Sequence, residues 1–435
     1  AEVAKSSYTV VIRATAAGDD NYNSGYKDIT MTVTVGKATN PIAVTASQSW
    51  STTYSTSLQD KAFTAATGAQ GAVTYAIQSQ KDKNNNTLTD YFTIPTNTTA
   101  SLRMKASAEV AKSSYTVVIR ATAAGNDNYN SGYKDITLTV TVGKAACTMT
   151  VSNASMKTQA TLDVSTKASS NKGTVTCAIK TNGTTTASTI SGCTLTAGAM
   201  SADNDTDQSV VVTLTDAGNG NYNGCSKDVT VTVQKNTRTL SWASSTPANN
   251  AVLTYGTSYT ATATASGSGG TAGAITYTSG TTSAMTINSS TGVITVANGN
   301  SKSSVITATM ARTTTVAAPA SITRTFTTGK ATNPISVTAT QSWNPTFSTS
   351  AQSKTFTAAT SGQGTVTYAI NSQKQGSTNV TYFSIPTNTT NSISMAASTP
   401  AGTYTVVIRA TAAGNDNYNS GYKDITMTVT VSDTT

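Results

Sequence analysis

Short runs along the chain alternate strictly between apolar and polar residues. Residues 27–35 read KDITMTVTV, with Ile29, Met31, Val33 and Val35 on one face and Thr30, Thr32 and Thr34 on the other. A period of two is the signature of a strand with one buried face. Just upstream, Tyr8, Val10, Ile12 and Ala14 alternate with Thr9, Val11, Arg13 and Thr15. Between these runs lies AAGDDNYNSG, dense in the Gly, Asn and Asp of a hairpin turn. Further strands are expected near 42–47, 61–66, 72–78, 91–94 and 101–105. No segment carries a helical period. Thr and Val are β-branched and suit pleated surfaces, and about a fifth of the chain is Thr.

The pattern repeats. Residues 1–36 and 108–143 differ only at Asp19/Asn126 and Met31/Leu138. The segment GKATNPIAVTASQSW beginning at Gly36 returns from Gly329 as GKATNPISVTATQSW, and the 23 residues from Tyr115 return unchanged from Tyr404. Residues 144–235 keep the ending as GNGNYNGCSKDVTVTVQK, and residues 236–329 keep only the general pattern. The expected organisation is a partial unit (1–36), full units at 37–143 and 330–435, a cysteine-bearing unit (144–235) and a diverged unit (236–329). Residues 1–36 read as the last third of a repeat whose start lies upstream, in a longer tandem array.

Seven short strands per unit, with turns every 8–12 residues, predict an all-β chain of Ig-like sandwiches. The expected core of the second unit is Trp50, Phe63, Tyr75, Phe92, Ile119, Ile136 and Val140. Its counterpart in the last is Trp343, Phe356, Tyr368, Phe383, Ile408, Ile425 and Val429. The motifs GNDNYNSGYKDITLTVTV and TINSSTGVITV resemble the bacterial Ig-like tandem repeats of large surface proteins, including invasin-type adhesin modules. The resemblance implies an extracellular stalk or adhesin segment on a bacterial cell surface.

Cys147, Cys177, Cys193 and Cys225 all fall in one unit. An even count in an extracellular-type module points to two disulfides, with buried thiols the other reading. Ig-like sandwiches set their first and last strands side by side. That implies Cys147–Cys225 and leaves Cys177 with Cys193. The close Cys-x-x-Cys pairs of a zinc site are absent.

Composition narrows the chemistry further. Histidine is absent, and Glu2 and Glu109 are the only glutamates. The commonest general base and metal ligand are therefore missing, and no enzyme or cofactor is expected. The net charge is +9, from 28 Lys+Arg against 19 Asp+Glu, spread without a basic run. That argues against a nucleic-acid partner. No stretch approaches the roughly 20 apolar residues of a membrane span. Asp203, Asp205 and Asp207 alternate as calcium ligands could. However, Gln208 stands where a calcium loop has Gly, and no Glu follows at the twelfth position. A solvated acidic turn is the other reading. Asn126–Asn130 reads as a turn, with Tyr129 folding back to plug the sandwich end. Lys37, Lys144 and Lys330 on first strands, with Asp135 and Asp424 on last strands, have the residue types of Lys–Asn isopeptide chemistry. The acids of that chemistry do not recur across the units.

The expected function is a stalk or filament that spaces a binding tip from the cell. Its partners are neighbouring repeats and, in a surface fibre, like chains. Four units of strands about 33 Å long would span on the order of 150 Å. The alternative is an adhesive module that binds a glycan or cell-surface ligand through Tyr22, Tyr26, Tyr129, Tyr133, Tyr418 and Tyr422.

Overall fold

Alternation of side chains decides the architecture, because each strand can bury only one face. The computed structural model describes residues 7–170 and 172–433; residues 1–6, 171 and 434–435 lie outside it. The chain is all-β, its described helical pieces being the short 3₁₀ turns Val110–Lys112 and Val164–Lys167. It opens with a hairpin, β1 (Ser7–Ala16) and β2 (Gly25–Thr34). Four sandwiches of two main sheets follow, the middle two with an added two-stranded ladder, Thr150–Val151 with Ala168–Ser169 and Thr239–Trp242 with Ala263–Ser266.

The first of these sandwiches sets the plan. One sheet has the order β3 (Ser47–Thr53), β9 (Gly132–Gly143), β8 (Tyr115–Ala123), β5 (Val73–Lys81). The other has β4 (Gln59–Ala62), β7 (Ser101–Met104), β6 (Phe92–Thr93). In β8, Tyr115, Val117, Ile119, Ala121 and Ala123 are buried, while Thr116, Val118, Arg120 and Thr122 point away from the core. Each fully buried aliphatic side chain contributes about 1.5–3 kcal/mol. The phenol of Tyr115 is also buried, and its hydroxyl donates to the Glu109 carbonyl at 2.6 Å. Tyr404 does the same to the Pro400 carbonyl at 2.8 Å. Burial pushes both phenols upward and keeps them neutral.

In every sandwich the first strand of the larger sheet runs parallel to the last. The pairings are Ser47 with Thr137, Ala154 with Val231, Val252 with Thr327 and Thr340 with Thr426. Two parallel strands start at one pole and finish at the other. The chain therefore enters each sandwich at one end and leaves at the opposite end, and successive sandwiches stack in line.

Several strands fall where the alternation places them, with shifted ends. The expected strand at 42–47 begins only at Ser47. Before it, Ala43 exchanges backbone hydrogen bonds with Thr67, and the Asn40 side chain bonds the Gln70 and Asn130 carbonyls. That stretch covers the incoming pole instead of joining the ladder. The expected strand at 61–66 lies at Gln59–Ala62. Trp50 is buried, but Trp343 is only half-buried. Its strand, Thr340–Trp343, stops ahead of Asn344-Pro345, and proline has no N–H for the ladder.

The sandwich built from residues 144–235 has a core without aromatic residues: Met149, Met156, Val164, Leu195, Met200, Leu214 and a row of valines. The first sandwich, residues 37–143, by contrast packs Trp50, Phe63, Tyr75, Tyr91, Phe92 and Tyr115. The aromatic-free core is the one that holds both disulfides, Cys147–Cys225 and Cys177–Cys193, with Cα separations of 5.6 and 5.1 Å.

The hairpin β1–β2 is an internal control on what packing contributes. Its ladder, Tyr8 with Val33, Val10 with Met31 and Ile12 with Ile29, reproduces that of β8–β9. Yet Val10 and Ile12 are 43% and 47% exposed, whereas Val117 and Ile119 are fully buried. An isolated two-stranded hairpin is marginal in water. Hydrogen exchange should be at least about 10³-fold faster in β2 than in β9. Asp19 and Leu138 give mass-distinguishable peptides for the two hairpins. Equal protection would show that the opening hairpin is held by packing other than its own ladder.

Candidate functional site: the joints between sandwiches

The turn between the last two strands lies at the incoming pole of each sandwich, facing the sandwich before it. Its shape is fixed locally. Asn126 Oδ1 accepts the N–H groups of Asn128 and Tyr129 at 2.9 and 3.1 Å, and Asn219 and Asn415 repeat this in their own turns. Gly125 has φ +80°, and a Cβ there would lie 2.6 Å from the Tyr129 carbonyl oxygen. Gly218 and Gly414 meet the same restriction.

Two joints use this turn alike. Tyr222 meets Tyr54 of the preceding sandwich edge-on, with ring centroids 5.1 Å apart. Tyr418 meets Tyr255 at 5.6 Å. Edge-to-face contacts of this kind contribute about 0.5–1.5 kcal/mol beyond area burial. Beside each pair, a turn asparagine accepts a backbone N–H from the preceding sandwich: Asn221 from Val110 at 3.2 Å and Asn417 from Gly299 at 3.0 Å. Tyr222 and Tyr418 reach outward to a neighbouring sandwich, whereas Tyr129 in the corresponding first turn is half-buried and bridges Ala38. The turn hydrogen bonds project Tyr222 and Tyr418 from the pole, where the preceding sandwich offers an aromatic ring.

The joint between these two is different. Thr158 occupies the position of Tyr54 and Tyr255, as shown by the shared hydrogen bond to the end of the last strand: Tyr54 to Gly143, Thr158 to Gln234, Tyr255 to Gly329. Val316 occupies the position of Tyr222 and Tyr418, as shown by the shared bridge to the linker. Thr158 Oγ1 donates to the Thr315 carbonyl at 3.1 Å, and the Met200 N–H donates to the Thr314 carbonyl at 2.9 Å.

The acidic turn belongs to this middle joint. Asp205 Oδ1 accepts a hydrogen bond from Lys235 Nζ at 3.1 Å, and its Oδ2 lies 3.5 Å from Arg312 Nε. Asp207 accepts from Gln234 and Asp203 from Ser201. The three carboxylates therefore face different partners and do not converge. Among the described residues no group of three or more His, Cys, Asp or Glu is placed to hold a metal.

The remaining candidates separate in the same way. Lys37 Nζ donates to the Asn126 carbonyl, and Lys144 and Lys330 are exposed. Asp135 is gripped in bidentate fashion by Arg120 at 2.8 Å, and Asp424 by Arg409 at 2.8 and 2.9 Å. No lysine reaches either acid through these contacts. Tyr133 and Tyr422 lie over the same guanidinium groups at 3.9 and 4.0 Å, as Tyr26 does over Arg13 at 4.0 Å. Tyr22, at the tip of the opening hairpin, is 78% exposed.

No family model matches the chain, and no characterised protein matches its sequence. Solved structures similar to it include the protocadherin gammaB4 extracellular domain, at 14% identity over 98% of this chain and 72% of that one, with a TM-score of 0.32. Drosophila N-cadherin EC1-4 is similar at 11% identity over 88% and 99% of the two chains, with a TM-score of 0.23. Mouse cadherin-23 EC22-24 is similar at 15% identity over 67% and 95%, with a TM-score of 0.25. The sandwich assignment rests on the sheet orders and registers given above.

Two outcomes follow from these contacts. Reducing Cys147–Cys225 and Cys177–Cys193 should destabilise the aromatic-free sandwich by about 2–5 kcal/mol per bridge and leave the other transitions in place. Calorimetry with and without reductant checks this. Four alkylatable thiols in native protein would refute the pairing. The second outcome concerns acid. The hydrogen bonds from Arg120 and Arg409 hold Asp135 and Asp424 below the usual carboxylate range, against a smaller opposing effect of desolvation. A depressed folded value gives stability that is complete above about pH 4 and lost as pH falls through that value. Asp135→Asn with Asp424→Asn should flatten the low-pH decline in melting temperature. An unchanged decline would assign the acid sensitivity elsewhere.

Proposed function

We propose that this chain is a stalk segment of a large extracellular protein on a bacterial surface, spacing a binding tip from the cell. The observation that carries this reading is the parallel pairing of first and last strands, which sends the chain in at one pole and out at the other in all four sandwiches. The joints support it, since the inter-sandwich hydrogen bonds described above connect only sandwiches adjacent in sequence. The linkers are nearly absent: Gly143 ends β9, and Ala145 already pairs with Tyr222 of the next sandwich. Two disulfides fit an oxidising compartment outside the cell.

A second reading, direct contact with a glycan, draws on Tyr133 and Tyr422. Both are 57% exposed and braced from beneath by a guanidinium group, an arrangement that presents a rigid aromatic face. A glycan array probed with the intact chain and with the double variant Tyr133→Ala, Tyr422→Ala separates the readings. Sugar binding lost in the variant would favour the second.

Pulling the chain from its two ends tests the stalk directly. Each sandwich should unfold as a separate force peak. The disulfide-bearing one should release a short contour length, because Cys147–Cys225 locks a separation of 78 residues. Reductant should add about 270 Å to that peak alone, at about 3.5 Å per residue. Simultaneous unfolding, or a gain spread over several peaks, would contradict an array of independent sandwiches.

A further inference from the structure

The three joints share one geometry and differ in chemistry, which makes them internal controls for one another. A lysine follows the last strand in each: Lys144, Lys235 and Lys330. Lys144 and Lys330 are exposed. The side chain of Lys235 is 1% exposed. It is held by the Asn204 carbonyl at 2.6 Å and by Asp205 at 3.1 Å, both on the loop 197–207 of the sandwich before the joint. The sandwich after the joint closes on the same loop. Arg312 donates to the Asp203 carbonyl at 2.8 Å, and the Ala318 N–H donates to Asp205 Oδ2 at 3.2 Å. Asp205 thus bonds the linker with one oxygen and the following sandwich with the other. Asn236, the next linker residue, is buried as well and bonds both Thr158 and the Thr315 carbonyl.

The outer joints have no such frame. Each pairs two tyrosine rings and, among the described residues, one hydrogen bond donated by a backbone N–H to an asparagine Oδ1. At the Tyr255–Tyr418 joint the packing leaves a cleft of 410 Å³ bounded by Ser258, Ile294 and Val296. An edge-on ring contact tolerates rotation far better than a set of directional hydrogen bonds around a buried charge.

We infer that the two sandwiches flanking Lys235 move as one rigid body, locked by that lysine, and that the chain bends at the tyrosine joints on either side. Lys235 supplies from within the chain the positive charge that fixes the joint, so divalent cations have no part in its rigidity. In this proposal the buried ammonium of Lys235 fixes orientation, because its hydrogen bonds to Asn204 and Asp205 are met in one geometry.

The test uses the full chain with spin labels carried by non-natural amino acids, which spares the native disulfides. Label pairs at positions 98 and 227, 227 and 290, and 290 and 389 span the three joints in turn. Pulsed dipolar spectroscopy should give a distance distribution across the middle joint at least twofold narrower than across either outer one. Lys235→Met should broaden the middle distribution to the outer width. Asp205→Asn, at a less buried position, should do so in part and serves if the first variant fails to fold. EDTA should change none of the three. A middle distribution as broad as the outer ones, one indifferent to both substitutions, or one that broadens on chelation would overturn the inference.

Discussion

The parallel contact between the first and last strands of each sandwich is the constraint on which the rest depends. Had the first strand paired antiparallel to the last, the chain would enter and leave at the same pole, and consecutive units would fold back or splay. Parallel pairing needs the chain to cross to the second sheet and return before the final hairpin. The reward is polarity. It puts the turn between the last two strands at the incoming pole, where it meets the preceding sandwich. It puts the residue after the first strand, Tyr54 or its equivalent, at the outgoing pole, where it meets the next one.

Within this frame the sandwiches reach stability by different routes. The repeats at 37–143 and 330–435 use aromatic anchors, with Phe63 edge-on to Tyr75 at 5.3 Å and Phe356 edge-on to Tyr368 at 5.1 Å. The cysteine-bearing unit replaces ring area with methionine, leucine and valine. Cross-links lower the entropy of its unfolded chain where burial alone supplies less. The outward faces are nearly interchangeable, since Thr and Ser hold the strand conformation and keep the sheet wet. This explains why the sequence can diverge strongly between units while the strand order persists.

Much of the fold was legible from alternation alone. The faces of 8–14 and 29–35 are those that β8 and β9 bury, and the cysteines announce one exceptional unit. The joints were not legible, because their partners are distant in sequence and carry no local signature. Tyr222 reads as a turn residue until Tyr54 is seen opposite it, and Asp205 reads as part of a solvated acidic turn or a calcium loop until Lys235 is seen beside it. The hydrogen bond that anchors the buried Tyr115 was also not legible. An aromatic at the start of a strand looks like one more alternating residue, and its hydroxyl finds the Glu109 carbonyl only through the fold of the preceding loop.

The linker lysine shows how a single position can change role without moving. After Gly143 and Gly329 it projects into solvent, and each of those joints relies on rings. After Gln234 the same backbone position meets a loop carrying Asp203, Asp205 and Asp207, and the following turn has lost its tyrosine to Val316. The two differences meet at one joint. Without an aromatic knob the joint requires another source of orientation, and a buried ammonium satisfies that need only if a carboxylate and carbonyls surround it. If Lys235 locks its joint as proposed, an array of similar sandwiches would set stiffness joint by joint by changing a few residues at the poles while the strand order stays the same.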